Sequence, residues 1–79
     1  MIIKEKNQKI IDYLKKRDLL ELYKKKRNQL ETDNAKSAQF KKRQPYKYQM
    51  FYFRINKQYR AIGRFKGSDF IVTEISDHQ

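Results

Sequence analysis

The chain has no cysteine, so neither a disulfide framework nor a thiolate zinc site is open to it, and thiols say nothing of its redox compartment. A single histidine is too few for a His-rich metal cluster. Its two glycines fall in segments that read as hairpins, not in a loop that could cradle phosphate, and neither a P-loop nor an H-E-x-x-H helix is present. No apolar run exceeds a few residues, so no segment reads as a bilayer span, and Met1-Ile2-Ile3-Lys4-Glu5-Lys6 lacks the apolar stretch of a secretory signal. A soluble, cytoplasmic protein without membrane contact is the expectation. Repeats and low-complexity tracts are absent. A second core within 79 residues would leave each half near the ~40-residue limit below which disulfides or metals are usually needed, so residues 1–79 are expected to form one domain.

Acidic side chains are missing where they would be most expected. The whole chain carries twenty Lys and Arg against nine Asp and Glu, a net charge of +11. Residues 1–34 hold ten basic and six acidic side chains, the mixture of an ordinary solvated helical surface. Residues 35–66 hold ten basic side chains and no acidic one. Self-repulsion of this kind destabilises a compact state, and a chain with no anion to bind would scatter carboxylates through such a stretch. The charge therefore points to phosphate backbones, an anionic membrane surface or an acidic protein as partner.

What is present divides into a helical first half and a β-rich second half. In residues 4–16, Ile10, Ile11 and Leu14 lie on one stripe, with Ile3 seven before Ile10. Asp18-Leu19-Leu20-Glu21 has the spacing of an N-cap and capping box. A second helix is expected over 19–31 through Leu19, Leu22, Tyr23 and Leu30, stopping in Thr32-Asp33-Asn34, with Lys24 to Arg27 mostly outward. Both stripes read as core packing. Residues 35–46, ending near Pro45, read as a basic loop. Strands are expected at about 47–55, 59–65 and 70–75, separated by the turn segments Asn56-Lys57-Gln58 and Lys66-Gly67-Ser68-Asp69. The expected fold class is α+β, an N-terminal helical hairpin packed on a small antiparallel sheet.

The first hairpin sorts its side chains sharply. With Asn56-Lys57-Gln58 as its loop, Ile55 pairs with Tyr59, Arg54 with Arg60, Tyr52 with Ile62 and Met50 with Arg64. Phe51, Phe53, Ile55, Tyr59, Ala61, Gly63 and Phe65 then share an apolar face that should cover the helices. Met50, Tyr52, Arg54, Arg60, Ile62 and Arg64 share the other. A one-residue slip would bury the arginines and expose the phenylalanines, so the pattern fixes which face is inside. Arg54 opposite Arg60 is unfavourable, and a fold accepts that cost more readily when an anion sits between them. Any one of these arginines could instead pair with Glu74 or Asp77. The set of three beside an acid-free loop favours anion binding. Tyr46, Tyr48 and Tyr52 interleave with Lys47 and Arg54, a mixture suited to stacking bases while holding phosphates, although each tyrosine alone reads as packing.

Pro45 to Gln79, and within it Phe53-Arg54-Ile55-Asn56-Lys57-Gln58-Tyr59-Arg60, resembles the β-sheet half of RelE/ParE-superfamily toxins of bacterial toxin–antitoxin modules. Those proteins commonly read R-[IV]-x-x-x-[YW]-R across a hairpin. The ending Glu74-Ile75-Ser76-Asp77-His78 is similar to that of the HigB-like branch, although Asp77-His78 stands where a Tyr-His ending is usual. The resemblance implies a RelE/ParE-like, microbial-ribonuclease-like fold whose first strand, with only Met1-Ile2-Ile3 to form it, is short or missing. It implies cleavage of messenger RNA, ribosome-dependent in many members, by attack of a ribose 2′-OH on the adjacent phosphate, with growth arrest through inhibited translation. By position in the motif, Arg60 would be the main phosphate clamp and Arg54 a second. Lys47, with Lys41, Lys42 and Arg43, would hold the RNA or ribosome backbone. Fixed cationic donors can stabilise the developing charge without a metal, and neither a metal nor another cofactor is expected. His78 is the one side chain with an unperturbed pKa near neutrality, and is the candidate general acid or base.

Two other readings stand beside this one. A ParE-type chain would poison DNA gyrase without being a nuclease, and a catalytically degenerate member would be a basic RNA-binding module. A toxin also implies a cognate antitoxin, whose acidic or amphipathic helical segment would lie across the basic face or compete for it.

Overall fold

Lys4 and Glu5, expected to open the first helix, instead continue from Ile3 as a short first strand. In the computed structural model, which describes residues 1–32 and 40–77, β1 (Ile3–Glu5) runs parallel to the last strand with Ile3 beside Phe70 and Glu5 beside Val72. The helix begins only at α1 (Gln8–Lys16), where the Asn7 side chain accepts from Lys9 N at 3.1 Å and caps it. Ile3 is buried, but as the inward residue of a strand.

The link to α2 (Leu20–Thr32) also differs from the expected capping box. Asp18 has φ 58°, in the left-handed region. Leu19 N donates to Leu14 O (2.8 Å) and Asp18 N to Lys15 O (3.1 Å), the bond pair of a Schellman C-terminus. Leu14 and Leu19 both enter the core, supplying the apolar contact that accompanies it. Asp18 therefore ends the first helix and does not cap the second. Glycine occupies that conformation without the strain a Cβ brings, so Asp18→Gly is expected to stabilise the fold by about 0.5–1 kcal/mol. Urea unfolding would show the gain as a higher midpoint at unchanged slope.

On α2, Tyr23 and Leu30 are buried as expected, while Leu22 is 42% exposed and Leu20 packs against the core instead. Arg27 does not point outward. Its Nη1 donates to Glu5 Oε2 at 2.9 Å, and the Tyr23 hydroxyl donates to the same oxygen at 2.6 Å. Burial, then the hydrogen bond and charge of Glu5, push the Tyr23 phenol far above its ordinary pKa. Burial works against the Arg27 charge, but Glu5 outweighs it and the guanidinium pKa is raised. Glu31 accepts from Ile3 N at 2.7 Å, so α2 is tied to β1 by polar groups on either side of that short strand.

The sheet has five strands in the order β1-β5-β4-β3-β2 and is mixed, not antiparallel throughout as expected, because β1 is parallel to its neighbour. Part of the expected basic loop is a strand, β2 (Lys41–Arg43), which pairs antiparallel with β3 (Met50–Arg54). Residues 35–39 of that loop lie outside the described residues. Tyr46, expected to end the loop, and Lys47 and Tyr48, expected to start a strand, form a 3-10 turn instead. β4 (Tyr59–Lys66) and β5 (Asp69–Asp77) complete the meander. Gly67, at φ 62°, makes the tight turn between them. The Asn56 side chain accepts from Gln58 N and Tyr59 N, both at 2.8 Å, and closes the β3–β4 turn.

The core lies between the helices and one face of the sheet, with Leu14, Tyr23, Leu30, Phe53, Phe70 and Val72 almost fully buried. Phe40 packs its ring 4.8 Å from Phe70 and 5.2 Å from Phe65. Among the described residues, no helix is long and apolar enough to cross a membrane.

Candidate anion-binding face of the sheet

The register of the central hairpin is the one its alternation demands. Arg54 lies opposite Arg60, Phe53 opposite Ala61, Tyr52 opposite Ile62 and Phe51 opposite Gly63. Phe53, Ile55 and Ala61 are buried against the helices. Tyr52, Arg54, Arg60 and Arg64 therefore stand on the face away from them. Pairing of β2 with β3 adds Lys41, opposite Tyr52, and Arg43, opposite Met50. Pairing further along adds Lys66 on β4 and Lys4 on β1.

Lys4 and Lys66 were not singled out from the sequence. The sequence context of Lys4 reads as helix, and only the parallel pairing of β1 with β5 brings it to this face. The signal for Lys66 was available: it continues the alternation of Arg60 and Arg64.

Arg54 and Arg60 are handled differently by their surroundings. Arg54 is exposed, while Arg60 is half-buried with its guanidinium 4.4 Å from the centre of the Tyr52 ring. Stacking of this kind contributes about 0.5–1 kcal/mol at exposed sites and holds Arg60 on Tyr52, the residue two before Arg54 on β3. One face of Tyr52 is thus occupied by Arg60. Among the described residues, no carboxylate lies within ion-pair distance of Arg54, Arg60 or Arg64. The two that might have neutralised them are engaged elsewhere. Glu74 accepts from Arg43 Nη1 at 3.3 Å, and Asp77 accepts from Gln58 Nε2 at 3.0 Å.

No protein-family model matches this chain, and no curated protein matches it.

The remaining expected residues are spread around the face. Lys42 sits opposite Phe51, on the helix side of β2, and its ammonium lies 5.5 Å from the Tyr46 ring centre. It does not join Lys41 and Arg43. Lys47 lies in the 3-10 turn with its ammonium 5.3 Å from the Tyr48 ring. Tyr46 and Tyr48 are each 54% exposed and so are presented to solvent, not packed. Arg64 Nε donates to the Met50 sulfur at 2.9 Å. His78 lies outside the described residues. Ile62, expected on the outer face, is on it but only 2% exposed, and it is separate from the main core. A groove of about 440 Å³ on α1 is lined by Lys9, Asp12, Tyr13, Lys16 and Arg17. The Arg17 guanidinium already lies 3.5 Å from the Tyr13 ring centre there.

Chemically, the outer face offers three guanidinium groups without carboxylate partners among the described residues, on adjacent strands of one rigid sheet. A guanidinium presents a planar fork of donors matched to phosphate oxygens. Two forks directly across a strand pair can contact the same phosphate or successive ones. Their repulsion is relieved when the anion binds.

Proposed function

We propose that this chain is the toxin of a toxin–antitoxin module, a ribosome-dependent messenger-RNA endoribonuclease that cuts without a metal. The observation that carries the reading is the direct opposition of Arg54 and Arg60 on an outer face where no described carboxylate neutralises them. The hairpin motif Phe53 to Arg60 and the acid-free stretch 35–66 support it from the sequence. In the proposed reaction the ribose 2′-oxygen bonds to the adjacent phosphorus while the bond to the 5′-oxygen breaks. The products are a cyclic phosphate and a 5′-OH fragment. Negative charge accumulates on the non-bridging oxygens, where Arg60 and Arg54 act as fixed donors that need no reorganisation. Arg60 is the better-oriented clamp, since Tyr52 holds it. Lys47 and Lys41 hold the flanking backbone. His78 is assigned the proton transfer, to or from the bridging oxygens. The antitoxin is a protein whose acidic or amphipathic segment covers the same face.

Brief induction followed by primer extension tests this directly. Growth arrest with new 5′-OH ends in transcripts is the expected result. Intact transcripts with an induced DNA-damage response would replace it with gyrase poisoning, and expression without arrest would leave a non-toxic RNA-binding module.

A further inference from the structure

Arg43 and Glu74 stand three strands apart. Glu74 on β5 is opposite Ile62 on β4, Ile62 is opposite Tyr52 on β3, and Tyr52 is opposite Lys41 on β2, two residues before Arg43. Three inter-strand steps of ~4.8 Å span roughly 14 Å. A 3.3 Å contact between the two side chains therefore requires both to lie extended across the outer face. Arg60 and Arg64 flank Ile62 on the strand next to Glu74, and are its diagonal neighbours. Both are nearer to it by register, yet neither takes it: Arg60 lies on Tyr52 and Arg64 on the Met50 sulfur.

We propose that Arg43 is a positioning residue: by holding Glu74 across the sheet, it keeps that carboxylate off Arg60 and Arg64 and leaves them free for a phosphodiester polyanion. Arg43, whose sequence position suggested a phosphate contact of its own, acts here through its neighbours. The consequence for binding rests on the anion-binding reading above; the pairing does not. Both partners are exposed, and such a pair adds little to stability. Its effect is on where the Glu74 charge resides. Without Arg43, Glu74 turns to the adjacent arginines and occupies the donors the ligand needs.

The test uses the full chain with Arg43→Gln, Glu74→Gln, the double variant, and Lys41→Gln. Lys41 matches Arg43 in strand, face and charge lost, and has no ion pair among the described residues. The probe is a labelled 2′-O-methyl oligouridylate, which cannot undergo 2′-OH attack, read by fluorescence anisotropy. Lys41→Gln should weaken binding about threefold, as one lost phosphate contact does, and Arg43→Gln about tenfold or more. Glu74→Gln alone should change it by no more than about twofold, since the charge is already held. The double variant should return to the Lys41→Gln level.

A second readout needs no ligand. In the free protein, the Nε–H NMR resonance of Arg60 or Arg64 should shift in Arg43→Gln and revert in the double variant. Additive binding effects overturn the proposal, and so do unmoved resonances. If the wild type binds no probe while the resonances shift and revert, the pairing stands and the polyanion reading falls.

Discussion

Replacing Arg54 and Arg60 together with glutamine should abolish growth arrest and lower transcript cleavage by at least about a thousandfold, given that a single fixed donor to a developing oxyanion is worth about 10²–10³ in rate. The two single variants should differ. Arg60 is held over Tyr52 at 4.4 Å and on the proposed reading would meet the phosphate already oriented, so Arg60→Gln should carry the larger loss. Arg54 is exposed with no partner among the described residues, and must be ordered on binding. Stability should not follow. The two residues are directly opposed in register, and relief of like-charge repulsion across the strand pair offsets the Tyr52 stacking that Arg60 loses, so the double variant should melt within a few degrees of the parent. Loss of activity without loss of stability separates a functional face from a merely structural one. Cleavage rates and thermal denaturation on the same preparations give both signs. Undiminished toxicity in the double variant would remove the arginines from the mechanism.

The central hairpin was legible because its information is local. Three turn residues set the register, and alternation over a few positions on either side says which side chains face the helices. That reasoning placed Arg54 opposite Arg60 and Tyr52 opposite Ile62, as the sheet has them. The N-terminal strand was not legible in the residue pattern, since its partner lies 67 residues away at Phe70 and a three-residue strand has too little pattern to separate it from the first turn of a helix; only the resemblance left room for a short first strand. Asp18 misled for a different reason. Its side chain has the composition of an N-cap, but its backbone lies in the left-handed region, and that is set by the bonds Leu14 and Lys15 accept from the residues after them. Leu22 was assigned to the core by spacing alone. Packing chose Leu20 and turned Arg27 inward to Glu5, a pairing that depended on β1 existing. Arg43 and Glu74 could not have been joined from the sequence, because their meeting needs the strand order β5-β4-β3-β2.

Gly63→Ala should be the most damaging single substitution to the fold, although it adds one methyl group. The β4–β5 register shifts between Ile62 and Gly63, a bulge that brings the backbone of β5 close above Gly63. A Cβ at this position would lie 2.0 Å from Ile71 O, 2.8 Å from Ile71 C and 3.0 Å from Val72 Cα. These are backbone atoms of a central strand, and no rotamer change can clear them. Either β4 and β5 separate or the bulge is lost. Losing it would displace residues on one side relative to the other, moving Val72 from the core or Glu74 from the outer face. Overpacking in a core costs about 1–3 kcal/mol, occasionally more, and a clash with the backbone of two successive residues beside a bulge belongs at or above the upper figure. In a domain this small that is a large share of the whole stability, and the melting temperature should fall by about 15 °C or more. Gly67→Ala separates close approach from backbone conformation. Nothing lies within 4 Å of its added Cβ, and only its φ of 62° is strained, so it should cost about 1–2 kcal/mol. Thermal melts of the two variants beside the parent give the order. If Gly63→Ala melts above Gly67→Ala, the bulge is not holding β4 against β5, and the placement of Glu74 among the arginines falls with it.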